Sequence, residues 1–76
     1  MDLDLAYVAA AALNEEQAAV IRYLVVHELT ERETAALLSE IRGMSYSRDR
    51  VHRILLTSLA RMRRTIEAHL AEERAA

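Results

Sequence analysis

Apolar residues recur along this chain at intervals of three and four, the spacing that gathers side chains on one face of an α-helix. Leu5, Val8, Ala9 and Ala12 define a first helix over about residues 3–12, with Asp2 as its N-cap. Asn14 followed by Gln17 is a capping box, and Val20, Ile21, Leu24 and Val25 then recur at one-turn spacing, predicting a helix over 14–28. Thr30 and Glu33 repeat the capping pattern ahead of Ala35, Leu37, Leu38 and Ile41, predicting a third helix over 30–42. Gly43, the only glycine, stands where a helix C-terminus turns left-handed and a Cβ is unwelcome. Ser45 or Ser47 caps the last and longest helix, 48–72. Along it Val51, Leu55, Leu59, Met62, Ile66 and Leu70 trace one stripe, widened by Ile54 and Ser58. The β-leaning run Tyr23-Leu24-Val25-Val26 lies inside a helical pattern, and proline is absent. The expectation is an all-α fold of four helices.

Size and composition sharpen this picture. Seventy-six residues make one small domain, and such a chain buries only about 60% of its unfolded surface. There is no Cys for a disulfide or a thiolate metal site, and no Phe or Trp, so the core must come from Ala, Leu, Val, Ile and Met. The far end of the last helix outruns the rest of the domain. Met62, Ile66 and Leu70 must therefore meet the first helix, a second copy or another protein, and a homodimer through the first helix and this far end is one way to cover them. Tyr7 belongs to the same expected partner surface. No apolar run reaches the roughly 18 residues of a membrane span, and the acidic start Met1-Asp2-Leu3-Asp4 lacks a signal peptide's basic region. The expectation is a soluble, cytoplasmic protein with no membrane partner.

Charge is distributed unevenly. All ten basic residues are Arg, and the net charge is −2. Residues 1–40 carry eight acids against Arg22 and Arg32, a balance of −6. Residues 41–64 carry Arg42, Arg48, Arg50, Arg53, Arg61, Arg63 and Arg64 against Asp49 alone, a balance of +6. The remaining twelve return to −2. A basic segment of this density is either a solvated helix face or the start of a polyanion-binding surface.

Two segments resemble region 4 of sigma-70-type RNA polymerase sigma factors, including the extracytoplasmic-function kind. Leu13-Asn14-Glu15-Glu16-Gln17-Ala18-Ala19-Val20-Ile21-Arg22, continuing through Glu28-Leu29-Thr30 to Ala35, is similar to the family's L-P-x-x-Q-x-x-V run, its G-L-S turn and the helix that follows. Val51-His52-Arg53-Ile54-Leu55 and Leu59-Ala60-Arg61-Met62-Arg63 are similar to its recognition helix and tail. Together these cover about 50 of the 76 residues. The resemblance implies a region 4-like helix-turn-helix domain. The chain departs from it in three places. Asn14 and Glu28 stand where the family has Pro and Gly. Ala35 and Val51 are sixteen residues apart, where the family has about ten. The excess falls in Ser39–Ser47, so either the scaffold helix runs a turn further or a loop carries Arg42, Gly43, Met44 and Tyr46. The region that binds the −10 element is missing, which fits an isolated region 4-like regulator or one domain of a larger factor.

A recognition helix presents its N-terminal residues to base edges in the major groove. The resemblance therefore places Arg48, Arg50 and Arg53, with His52 beside them, at the DNA. Arginine suits both tasks there, forking onto guanine or meeting phosphate. Arg48 and Arg50 cannot share a helical face, so one reads while the other meets backbone. Asp49 is either a cytosine acceptor or a partner of the helix dipole. Thr30 and Arg32 at the scaffold helix start, and Arg42 in the turn, are expected on phosphates. Arg61, Arg63 and Arg64 lie beyond the bases, where Arg63 or its neighbours can pair with Glu67. By family analogy the N-terminal half, with Tyr7, Tyr23 and Glu28, faces protein.

Catalysis is not expected. His27, His52 and His69 are scattered, no nucleophile or glycine loop accompanies them, and His69 with Glu73 is an ordinary i,i+4 pair rather than a metal clip. No metal or cofactor is implied. Two functions remain: a transcription regulator that binds duplex DNA, with RNA polymerase as a further contact, and a module that mimics region 4 and acts on RNA polymerase or a sigma factor without reading DNA. The basic segment favours the first.

Overall fold

The computed structural model describes residues 3–75, and the Asp2 cap proposed for the first helix lies outside them. Among the described residues the fold is all-helical: α1 (Leu3–Ala11), α2 (Glu15–Ile21), α3 (Glu31–Arg42) and α4 (Arg48–Ala75). Twenty-eight residues at 1.5 Å make α4 about 42 Å long, nearly the whole 46 Å long axis of the molecule. It is the spine against which α1, α2 and α3 all pack. No described helix is long and apolar enough to cross a membrane.

Both capping boxes form. Asn14 Oδ1 accepts from the Gln17 N–H at 2.8 Å while Gln17 Oε1 accepts from the Asn14 N–H at 3.1 Å. Thr30 and Glu33 make the same reciprocal pair at 3.0 Å each. Ser47, not Ser45, caps α4, its Oγ accepting from the Arg50 N–H at 3.0 Å. Gly43 ends α3 at φ +66°, in the left-handed region its lack of a Cβ permits.

α2 does not run on to residue 28 as an α-helix. Arg22–Val26 widen into a π turn, closed by the His27 N–H donating to the Arg22 carbonyl. The wider turn leaves Tyr23 and Leu24 against the core but rotates Val25, expected inside, out to 60% exposure. Glu28 then reverses the chain at φ +55°, a left-handed backbone for a residue with a Cβ.

The core is Val20, Ala35, Leu38, Tyr46, Val51 and Ile54. Two of the expected core stripes turn by part of a helical face. On α3, Ala35 and Leu38 are buried and Leu37 half-buried, but Ile41 is 60% exposed and Thr34 takes an inside position. On α4, Val51, Ile54 and Ser58 are buried while Leu59 is 47% exposed. Ser58 tolerates its burial because its hydroxyl donates back to the Ile54 carbonyl at 2.6 Å. Leu55, Met62, Ile66 and Leu70 are half-buried, and α1 packs against α4 through a face on which Ala9 is fully buried and Leu5, Val8 and Ala12 partly so. The far end of α4 therefore meets the first helix, one of the three partners expected for it.

The long segment between Ala35 and Val51 combines a longer helix with a compact turn. α3 runs to Arg42, and residues 43–47 fold back on the core through Tyr46. Ser39 Oγ donates to the Ala35 carbonyl at 2.7 Å and accepts from the Tyr46 N–H at 2.8 Å, tying the turn to the helix before it.

Candidate nucleic-acid interface

The N-terminal half of α4 projects side chains in three directions, because neighbours at i+1 and i+2 point about 100° and 200° apart around a helix. Asp49, His52 and Leu56 form its outward face, and all are exposed. Arg48 lies on one flank and lines a shallow depression with Thr30, Glu31 and Arg32 from the start of α3. Arg50 and Arg53 lie on the other flank, lining a second depression with Ile54 and Thr57. The fold thus brings together three of the expected phosphate or base contacts, Thr30, Arg32 and Arg48, across 18 residues of sequence.

The first flank has a built-in acid. The His52 ring Nδ1 is hydrogen-bonded to Glu31 Oε2, linking the outward face of α4 to the first turn of α3. Thr30 accepts from Glu33, and its backbone N–H in turn holds the Glu33 carboxyl below the ordinary carboxylate range. The N–H groups of Glu31 and Arg32 precede the first intrahelical bond of α3, from Thr34 to the Thr30 carbonyl.

The second flank is organised by Glu16, in the first turn of α2. Tyr46 Oη donates to Glu16 Oε2 at 2.6 Å, and Arg50 Nη2 approaches the same oxygen at 3.4 Å. The Arg50 guanidinium also stacks over the Tyr46 ring, 4.4 Å from its centroid. Burial pushes the Tyr46 hydroxyl above its ordinary range and the bond to Glu16 adds to the rise, with Arg42 and Arg50 opposing it. Arg50 is thereby held by Glu16 and Tyr46 although its side chain remains 37% exposed, whereas Arg48 and Arg53 lie on the exposed surface.

Arg42, near enough to Tyr46 to act on its hydroxyl, lines a different groove with Glu15, Ala18, Arg22, Tyr23 and Ile41. Arg63 pairs with Glu67 at 3.0 Å on the exposed side of α4. Tyr7 is 70% exposed, while Met62, Ile66 and Leu70 are only partly open. His69 and Glu73 meet at 3.1 Å as an i,i+4 pair, and among the described residues no three His, Cys, Asp or Glu side chains converge. Sequence reading missed Glu16 and Thr57. No local signal marks Glu16, because its partners lie 30 and 34 residues away. Comparison with protein-family models, curated proteins and solved structures gives no match for this chain.

Proposed function

We propose that this protein is a transcription regulator that binds duplex DNA through a region 4-like helix-turn-helix, with α3 as the scaffold helix and α4 as the recognition helix. The observation that carries the reading is the pair of arginine-bearing flanks on either side of the exposed first turns of α4. A helix lying in the major groove has a phosphate strand on each side. In this reading Thr30, Arg32 and Arg48 meet one strand and Arg53 with Thr57 meets the other. His52 and Leu56 face the base edges between them, where Leu56 suits a thymine methyl. The uncapped N–H groups of Glu31 and Arg32 add the positive end of α3 to the first strand. The left-handed Glu28 lends further support, since it occupies the position where the resembling family has Gly.

The test is fluorescence anisotropy on a labelled random-sequence duplex across a salt series. Each phosphate neutralised contributes about 0.9 to the slope of log affinity against log salt. Wild-type protein is expected to bind at low salt and to release steeply. The R32A/R48A/R53A variant, checked for helix content, is expected to lose up to about 2.7 from that slope. A folded triple variant that binds as the wild type does would overturn the proposal.

A second reading has its own observation. Val26 on the π turn and Leu56 and Leu59 on α4 are large, apolar and exposed, as a protein-docking surface for RNA polymerase or a sigma factor requires. Absence of duplex binding at low salt, with polymerase retained by the immobilised protein, would select this reading instead.

A further inference from the structure

Glu16 Oε2 receives two donors from distant parts of the chain, the Tyr46 hydroxyl at 2.6 Å and the Arg50 guanidinium at 3.4 Å. The two contacts are unequal. The first has the short length of an O–H donor on a charged oxygen; the second is longer than the 2.7–2.9 Å of a close charged N–H bond. Tyr46 is buried, while the Arg50 and Glu16 side chains are 37% and 27% exposed. Tyr46 therefore fixes the carboxylate in place, and Arg50 is held by a fixed anion that solvent and salt can reach. Arg50 shares its depression with Arg53, on the flank that would face a phosphate strand.

We propose that Glu16 is an intramolecular anion that withholds Arg50 from DNA, so that the domain binds with one phosphate contact fewer than its arginines could make. The inference rests on the DNA-binding reading above. An arginine satisfied by a carboxylate and stacked on an aromatic ring gains little by leaving both for a phosphate. Neutralising the carboxylate removes one of those two holds and frees the charge for the strand beside Arg53. Glu16 thus sets the affinity and salt sensitivity of the site without touching DNA.

The test uses the anisotropy assay and salt series on wild type, E16Q, R50A and E16Q/R50A, with E15Q as a control. Gln at position 16 keeps an acceptor for Tyr46, and thermal melting verifies that each variant is folded. E16Q is expected to bind several-fold more tightly at low salt, with a slope steeper by about 0.9. R50A alone is expected to bind as the wild type does, and E16Q/R50A to lose the gain. E15Q removes the same formal charge from the neighbouring position and is expected to leave the slope unchanged. An equal gain in E16Q and E16Q/R50A would mean a general charge effect and overturn the inference. A loss of wild-type affinity in R50A would overturn it too, by showing Arg50 already on DNA. If wild type and all variants fail to bind duplex, the DNA reading falls and this inference falls with it; wild-type binding with an unchanged E16Q sinks this inference alone.

Discussion

Replacing Tyr46 by Phe removes one hydroxyl and leaves the ring, its burial and its stacking on Arg50 in place. The lost contact is the 2.6 Å bond to Glu16, the link between α2 and the turn before α4. Hydrogen bonds to charged groups contribute about 1.5–3 kcal/mol. Glu16 is 27% exposed and keeps Arg50 beside it, so water recovers part of the loss and the lower end, about 1.5 kcal/mol, applies. A domain of 76 residues has about 4–11 kcal/mol in total, so the change is large enough to measure. At about 4–8 °C per kcal/mol for this size, the midpoint falls by roughly 6–12 °C. Urea and thermal unfolding followed by circular dichroism give both numbers. Y46A, which also removes the ring, is expected to cost about 3–5 kcal/mol, a large part of the total stability. In the Y46F/E16A cycle, where each change alone removes the bond, the two are expected to be non-additive by about 1 kcal/mol. A Y46F variant within about 0.3 kcal/mol of wild type, or strictly additive with E16A, would refute the claim that this bond ties α2 to the turn.

Gly43 and Glu28 both hold left-handed backbone, at φ +66° and +55°, and are expected to respond in opposite senses. G43A costs about 1 kcal/mol of backbone strain, since a Cβ there meets nothing within 4 Å, whereas E28G raises the melting temperature by relieving a similar strain, less the entropy glycine loses. T30A removes the hydroxyl that caps α3 and is expected to lower stability by about 1 kcal/mol in urea unfolding. The raised pKa of Tyr46 means the folded protein holds that proton more tightly than the unfolded chain. Its stabilising contribution is complete below the unfolded value near 10 and is lost as pH rises through the folded one. Urea midpoints measured from pH 8 upward should therefore fall above about pH 10, and Y46F should lack this component of the fall.

What the sequence determined by itself is what short-range chemistry determines. The all-α class, the capping boxes at Asn14 and Thr30 and the left-handed stop at Gly43 depend on groups within three or four residues of one another, so their letters carry them. Of the candidate site, the basic character of the α4 N-terminus was equally legible. Tertiary structure decided which way each helix faces. A stripe containing Val51, Ile54, Leu55, Ser58 and Leu59 is broad enough to be turned by part of a face, and packing against α1, α2 and α3 put Ser58 inside and Leu59 out. The π turn did the same to Val25, and no local pattern announces where a helix will widen. Tertiary structure also decided which arginines stay accessible. Arg48 and Arg53 remain exposed, but Arg50 meets a carboxylate 34 residues earlier that reaches it only because Tyr46 folds the turn onto α2. Helix formation answers to neighbours along the chain; the accessibility of a charge answers to neighbours in space.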